Sequence, residues 1–214
     1  MQYRNQSTNM TYQSFYHTWH RFACFSTAQV RAIHPDFNRG NYIQWQKAGY
    51  IVPLRQGWYA FADYIDKPDF ARYIASKIYA PSYISLHSAL SYYGIIPEAV
   101  VEITSITTRK TARFENKFAS YSYQTVKPDL FFGYEPKSLK DGIMFMLATP
   151  EKAIIDLLYL YPQYSTIEEM RELRFDEDFM RNELDIECLQ DYTARINSPV
   201  LNKRFNLLLK AYNL

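Results

Sequence analysis

The chain has 214 residues, of which 48% are hydrophobic, so it can form one large domain or two small ones around a sizeable core. Its 17% aromatic residues and only 6 glycines exclude a disordered or low-complexity protein. The net charge is +2, and the sequence has neither an 18-residue apolar run nor the apolar centre of a signal peptide, so we expect a cytoplasmic protein without a membrane span.

The charge is unevenly distributed along the chain. Residues 1–80 contain nine Lys and Arg against four Asp and Glu, whereas residues 149–214 contain eight against twelve. A basic segment is what a module that binds nucleic-acid phosphates needs. We therefore expect a nucleic-acid surface in the N-terminal third, and expect the acidic C-terminal third to face solvent or a protein.

Residues 11–24 predict the first helix, with Phe15, Trp19 and Phe22 on one side at spacings of four and three. His17 and His20 also lie on this helix. No third ligand follows nearby, so we predict no metal site. Cys24 and Cys188 match no metal or redox spacing, which is typical of a reducing compartment.

Residues 26–49 predict two helices joined by a turn. Ser26 suits the N-cap of the first, because its hydroxyl can accept a backbone N–H of the first turn. Pro35 stops that helix, since the residue before a proline avoids the α region. The second helix should begin near Phe37 and end at Gly49, which suits the left-handed position after a helix.

A tight hairpin follows the second helix. Two short runs of apolar and aromatic residues, 51–54 and 58–61, flank the tripeptide Arg55-Gln56-Gly57. Gly57 can adopt the positive φ that a hairpin turn needs. The order helix, turn, helix, hairpin is the layout of a winged helix–turn–helix domain.

The second helix of such a domain enters the DNA major groove. Tyr42 and Trp45 form its apolar side, so the polar side should face outward. Arg can contact guanine, Asn and Gln can pair with adenine, and Lys can meet guanine or phosphate. The predicted DNA-binding residues are Arg39, Asn41, Gln44, Lys47 and, at the wing tip, Arg55 and Gln56. The alternative is a winged domain that packs only against another protein.

A linking helix is predicted over residues 67–79, with Pro68 in its first turn. The domain boundary should fall near Ala80-Pro81. The chain then divides into a winged DNA-binding domain with its linking helix, residues 1–80, and a C-terminal domain, residues 81–214.

The C-terminal domain is predicted to be mixed. Ser85 can cap a short helix, and β-branched or aromatic runs predict strands in a small antiparallel sheet. The predicted strands are 100–108, 118–126, 130–134 and 143–147, and the predicted terminal helices are 165–174, 176–182, 185–197 and 199–212. The expected fold class is α+β, with a winged helix–turn–helix, then a mixed α/β domain, and a helical C-terminal end.

Arg109, Lys110 and Arg113 cluster in one connection of the predicted sheet. They indicate either a second nucleic-acid contact or a solvated turn, and the turn is favoured.

Thr149-Pro150-Glu151 is a strong helix start, with an N-cap hydroxyl, a proline in the first turn and a carboxylate near the positive end of the helix dipole. Glu151 and Asp156 are five residues apart and point to different sides of the helix, which argues against paired catalytic carboxylates. Asp156 lies among apolar residues, so we expect it to be partly buried against a basic partner. We predict no catalytic residue, no cofactor and no enzyme activity.

Several motifs of this sequence resemble the AbiEi family, the antitoxins of type IV toxin–antitoxin systems. The motifs are PSYISL at 81–86, SAL at 88–90, YG at 93–94, IPE at 96–98, TSIT at 104–107 and ATPEKAIIDLL at 148–158, with WQK at 45–47, GYI at 49–51 and GWY at 57–59 resembling the family's winged domain. Two positions depart from the family pattern: His87 stands where an acidic residue is expected, and ASYSY after Arg113 lacks a glycine.

The resemblance implies an antitoxin that takes part in phage defence and represses its own operon. It would bind inverted repeats upstream of that operon, where a second copy could pair with it on the DNA, and it would oppose a nucleotidyltransferase-like toxin without requiring direct contact. The alternative is a ligand-responsive winged-helix regulator whose aromatic-rich C-terminal half is a sensor domain.

Overall fold

A computed structural model of the chain describes residues 10–139 and 142–214 and confirms the α+β class. The start of the predicted winged domain, residues 1–9, lies outside these residues. Among the helices of the described ranges, none combines the length and the apolar character needed to cross a bilayer.

The N-terminal unit has three helices and a three-stranded antiparallel sheet. In chain order its elements are α1 (Tyr12–Trp19), β1 (Cys24–Ser26), α2 (Thr27–Ile33), α3 (Gly40–Lys47), β2 (Ile51–Arg55) and β3 (Trp58–Phe61). The strand order is β1-β3-β2. This is the winged helix–turn–helix topology that the sequence predicts.

Local sequence explains where these elements begin and end. Ser26 and Gln29 form a reciprocal capping box at the start of α2. The helix α3 begins three residues later than predicted, at Gly40, whose N–H donates to the Asn38 side chain. Gly49 and Gly57 adopt φ of 75° and 76°, which end α3 and turn the hairpin.

Aromatic side chains fill the core of the winged unit. Phe15 lies at its centre, with ring centroids 4.9 Å from Phe25 and 4.8 Å from Trp45. Phe25 in turn lies 5.3 Å from Phe61. These four residues come from α1, β1, α3 and β3, so one cluster fixes the position of α3 against the sheet.

The C-terminal half contains a six-stranded mixed sheet in the order β6-β7-β5-β4-β9-β8. Its strands are β4 (Ser82–Ile84), β5 (Glu102–Thr107), β6 (Ala112–Glu115), β7 (Ser120–Thr125), β8 (Tyr134–Ser138) and β9 (Met144–Ala148). The predicted antiparallel sheet is wrong in part, because β5 pairs with β7 and β4 pairs with β9 in parallel. The parallel β5–β7 pair arises because β6 lies outside β7, at the edge of the sheet.

The strands β4 and β6 were not predicted, and β8 lies later in the chain than the strand predicted at 130–134. The strand β4 has only three residues, and β6 contains Arg113 within the segment interpreted as a connection. The predicted strand 130–134 is wrong: a short 3₁₀ turn ends at Leu130, and β8 starts at Tyr134.

Helices pack on both faces of this sheet. They are α4 (Phe70–Ile78), α5 (Leu86–Tyr92), α6 (Pro150–Leu160), α7 (Ile167–Arg171), α8 (Glu177–Asn182), α9 (Ile186–Ile196) and α10 (Pro199–Tyr212). The Tyr123 hydroxyl donates to the Ala75 carbonyl of α4, whereas the Tyr83 hydroxyl donates to Asp156 of α6. Since side chains alternate between the faces of a sheet, these contacts place α4 and α6 on opposite faces.

Candidate nucleic-acid interface

The helix α3 presents one side of its surface to solvent. Tyr42 and Trp45 are buried, and the Tyr42 ring stacks on Tyr59 of β3 with centroids 5.2 Å apart. Gln44 and Lys47 are exposed on the other side. The predicted division of the helix into an inner and an outer side is therefore confirmed, and the outer side carries an amide and an ammonium group that can meet base edges or phosphates.

Asn41 does not belong to the outer side. It is only 4% exposed, and its Nδ2 donates to the Met10 carbonyl at 3.1 Å. Because α3 begins at Gly40 rather than near Phe37, Asn41 lies in the first turn and faces the segment that precedes α1. The predicted DNA contact of Asn41 is therefore wrong in its geometry, because its side chain faces inward.

Ile43 is a member of the outer side that the sequence analysis missed. Its side chain is 59% exposed and it precedes Gln44 on the same helix. An apolar side chain at a major-groove surface can contact the methyl group of thymine. The signal was present in the sequence, because Ile43 lies off the stripe formed by Tyr42 and Trp45.

Arg39 is exposed and immediately precedes α3. It lines a cavity of about 170 Å³ between α2 and α3, which Thr27 and Arg31 of α2 also line. Arg31 was not among the predicted contacts, although it extends the basic surface from α3 to α2.

Arg55 does not lie at a free wing tip. Its Nη1 donates to the Ile78 carbonyl at 2.8 Å, and its guanidinium lies 4.1 Å from the centroid of the Phe114 ring. The turn itself consists of Gln56 and Gly57, because Arg55 still pairs with Trp58 in the β2–β3 ladder. The predicted phosphate contact at Arg55 is thus replaced by contacts within the chain.

The wing therefore packs against the C-terminal half. Asn116, in the turn between β6 and β7, donates from Nδ2 to the Leu54 carbonyl of β2 at 3.1 Å. Gln56 is exposed, so of the two predicted wing contacts only Gln56 faces solvent.

The three residues of the second predicted basic cluster have different contacts. The Arg109 guanidinium lies 4.1 Å from the Tyr79 ring centroid and donates to the Ala80 carbonyl. Arg113 donates through Nε and Nη2 to the two carboxylate oxygens of Glu102, at 2.8 and 3.1 Å. Lys110 is exposed.

The interior of the C-terminal half contains an ion pair. Asp156 is more deeply buried than the sequence predicts, and its basic partner is Lys152, one turn earlier on α6 and 0% exposed. The hydroxyls of Tyr83 and Ser85 also donate to Asp156, at 2.9 and 2.7 Å. Ser85 therefore does not cap α5 with its side chain, contrary to the prediction.

Burial raises the pKa of Asp156, while Lys152 and the two hydroxyl donors lower it in part. Glu151 lies apart from this network, since its Oε1 accepts the Asp185 N–H at 3.3 Å. Thr149 caps α6 as predicted.

The two histidines of the predicted first helix are differently placed, and His20 lies just beyond the end of α1. The Nε2 of His20 lies 2.6 Å from Asp63 Oδ2, and its ring stacks on Tyr16, whereas His17 is exposed. Within residues 10–139 and 142–214, no group of three or more His, Cys, Asp or Glu is arranged to hold a metal ion.

No protein-family model matches this sequence, and the comparison with curated proteins finds no match. Of the predicted DNA-binding residues, the structure brings Arg39, Gln44, Lys47 and Gln56 to the surface, and it directs Asn41 and Arg55 inward.

Proposed function

We propose that the winged unit binds duplex DNA through the outer side of α3 and that the protein represses its own operon. The observation that supports this most is the division of α3, whose aromatic side is anchored in the core while Gln44 and Lys47 face solvent. A recognition helix needs both properties, because it must be rigid and still reach the bases.

The size and chemistry of α3 suit the major groove. Its eight residues span about 12 Å, and the groove is about 12 Å wide and admits an α-helix. Gln44 can pair with adenine, Lys47 can contact guanine or phosphate, and Ile43 can pack on a thymine methyl. Together these side chains favour a mixed-sequence operator over a purely electrostatic contact.

We further propose that the protein is a type IV antitoxin of the AbiEi kind. Support comes from the motifs PSYISL and TPEKAIID, which lie far apart in the sequence and meet in space. Tyr83 and Ser85 of the first motif donate hydrogen bonds to Asp156 of the second, which pairs with Lys152 of the same motif. The motif residues thus support the core of the C-terminal half, and its antitoxin activity would depend on that core being intact.

A ligand-responsive regulator is the second candidate, and one cavity favours it. A cavity of about 430 Å³ in the C-terminal half is lined by His87, Tyr161, Tyr164 and Glu98, among others. Its volume falls in the range of small-molecule sites. His87 is also one of the two departures from the family pattern, and its burial lowers its pKa, which favours the neutral ring.

Binding to the DNA upstream of its own gene tests the first proposal. We expect fluorescence anisotropy to show tight binding to that fragment and a linear decrease of log K with log salt concentration, because phosphate contacts release counterions. A duplex of the same length and shuffled sequence is the control. Equal affinity for both duplexes, or a salt-independent affinity, would contradict the proposal.

Expression of the neighbouring gene tests the antitoxin assignment. The gene immediately downstream should arrest growth when it is expressed alone, and co-expression of this protein should restore growth. A thermal shift produced by a small molecule, together with a harmless downstream gene, would favour the regulator instead.

A further inference from the structure

The small cavity between α2 and α3 has the chemistry of an anion site. Its lining residues are Thr27, Arg31, Pro35, Phe37, Arg39 and Tyr42. Two of the six are guanidinium groups, two others carry hydroxyls, and none is a carboxylate. Its volume of about 170 Å³ exceeds several times the roughly 30 Å³ share of one liquid water, so a phosphate group can enter.

The two arginines are available for a ligand. Both are exposed, and within the described ranges neither forms an ion pair. Asp36 lies in the same connection between the helices but does not line the cavity. A guanidinium without a carboxylate partner retains its full capacity to bind a phosphate, often through two parallel hydrogen bonds.

The other walls of the cavity are fixed. The backbone N–H of Thr27 donates to the Gly57 carbonyl of the wing turn at 2.8 Å, which ties α2 to the wing. Tyr42 stacks on Tyr59, and burial raises its pKa, so its hydroxyl stays protonated and can donate at neutral pH. The cavity therefore lies between α3 and a helix α2 that is itself tied to the wing, along the edge of the proposed DNA surface.

We infer that this cavity binds one backbone phosphate of the DNA, held between the guanidinium groups of Arg31 and Arg39. The inference rests on the proposed DNA-binding function and assigns Arg39 to the DNA backbone rather than to a base. Since phosphate contacts position a protein without reading sequence, both arginines contribute equally to operator and non-operator binding.

The slope of log K against log salt concentration steepens by about 0.9 for each DNA phosphate that the protein neutralises, so the slope counts these contacts. Arg31→Gln and Arg39→Gln should each reduce the slope, and the double variant should reduce it by about 0.9 in total, because the two groups share one phosphate. The reduction should be the same on the upstream fragment and on the shuffled duplex. Arg31→Lys, which keeps the charge, should retain most of the slope.

Arg21→Gln is the matched control, because Arg21 is exposed on the same unit and lies over Phe22, outside this cavity. It should leave the slope unchanged. If the slope of the double variant falls by about 1.8, the inference is wrong, since the arginines would then contact separate phosphates. An unchanged slope, or a loss confined to the upstream fragment, would overturn it as well. If the wild-type protein binds neither duplex, the proposed function itself fails, which is a distinguishable result.

Discussion

The cationic side chains of the winged unit and of the C-terminal half are used differently. Around α3, Arg31, Arg39 and Lys47 are exposed and form no ion pair within the described parts of the chain. In the C-terminal half, Arg113 is held by Glu102 and Lys152 by Asp156. The comparison teaches that a basic side chain indicates an external partner only where the fold leaves it without an internal one.

Arg55 belongs to the winged unit in sequence and to the C-terminal half in its contacts. Its guanidinium lies over Phe114 of β6 and donates to the end of α4. The wing is therefore part of an internal interface, whereas the outer side of α3 is turned to solvent. Substitutions on the two sides of this division should therefore differ in their effects on stability and on DNA affinity.

The largest effect on stability is expected at the buried ion pair. Lys152→Met removes one partner and leaves the Asp156 carboxylate buried without its counter-ion, which costs about 3–5 kcal/mol of unfolding free energy. Urea denaturation measures this loss. The matched control is Lys137→Met, because Lys137 pairs with Glu135 at 2.5 Å on the surface and should contribute only about 0–1 kcal/mol.

The pH dependence of the Lys152→Met variant follows from the same carboxylate. Without Lys152, the pKa of Asp156 should rise further above its unfolded value of about 3.9, because burial then acts with less opposition. A carboxyl whose folded pKa is raised destabilises the fold above that pKa, and this cost disappears as the pH falls toward the unfolded value. The difference from wild type should therefore shrink between pH 7 and pH 4, and a constant difference would refute this account of Asp156.

A smaller loss is expected at the interface between the wing and the C-terminal half. Arg55→Ala removes the hydrogen bond to Ile78 and the contact with Phe114, at a cost of about 2 kcal/mol. DNA affinity should change little, because Arg55 faces inward. A large loss of DNA affinity with an unchanged free energy of unfolding would show instead that Arg55 contacts DNA.

The smallest effect is expected at Arg113. Its side chain is largely exposed, and its pair with Glu102 is screened by solvent. Arg113→Ala should leave the melting temperature unchanged by calorimetry. A clear decrease would mean that this pair supports the edge of the sheet more than its exposure indicates.

The sequence predicted those parts of the fold that depend on local chemistry. The N-cap at Ser26, the proline and hydroxyl at the start of α6, and the last four helices are such features, and their bounds agree with the structure to within three residues. Winged topology followed from the same local signals. Long-range strand pairing could not be predicted in this way. A three-residue strand such as β4 forms because it pairs with β5 and β9, which are distant in the sequence.

The candidate site was predicted only in part, because it too depends on both local spacing and long-range contacts. Helical spacing placed Gln44 and Lys47 on the outer side of α3, as the structure has them. Spacing could not show that Asn41 reaches Met10 or that Arg55 reaches Ile78, because these contacts join residues more than twenty positions apart. Arg31 was missed because its role depends on the cavity that two helices form together.

The central claim is that α3, and not the basic residues Arg109, Lys110 and Arg113, contacts the DNA. One paired measurement tests it: anisotropy titrations of the upstream duplex with two triple variants, each checked for an unchanged circular dichroism spectrum. Arg39, Gln44 and Lys47 are changed to Ala in the first variant, and Arg109, Lys110 and Arg113 in the second.

The first variant should bind at least about 100-fold more weakly, since it loses two base contacts, worth about 1–3 kcal/mol each, together with the proposed phosphate contact of Arg39. The second removes more positive charge but should lose less than about threefold, because Arg109 and Arg113 are held by Tyr79 and Glu102. The reverse order of effects would contradict the account.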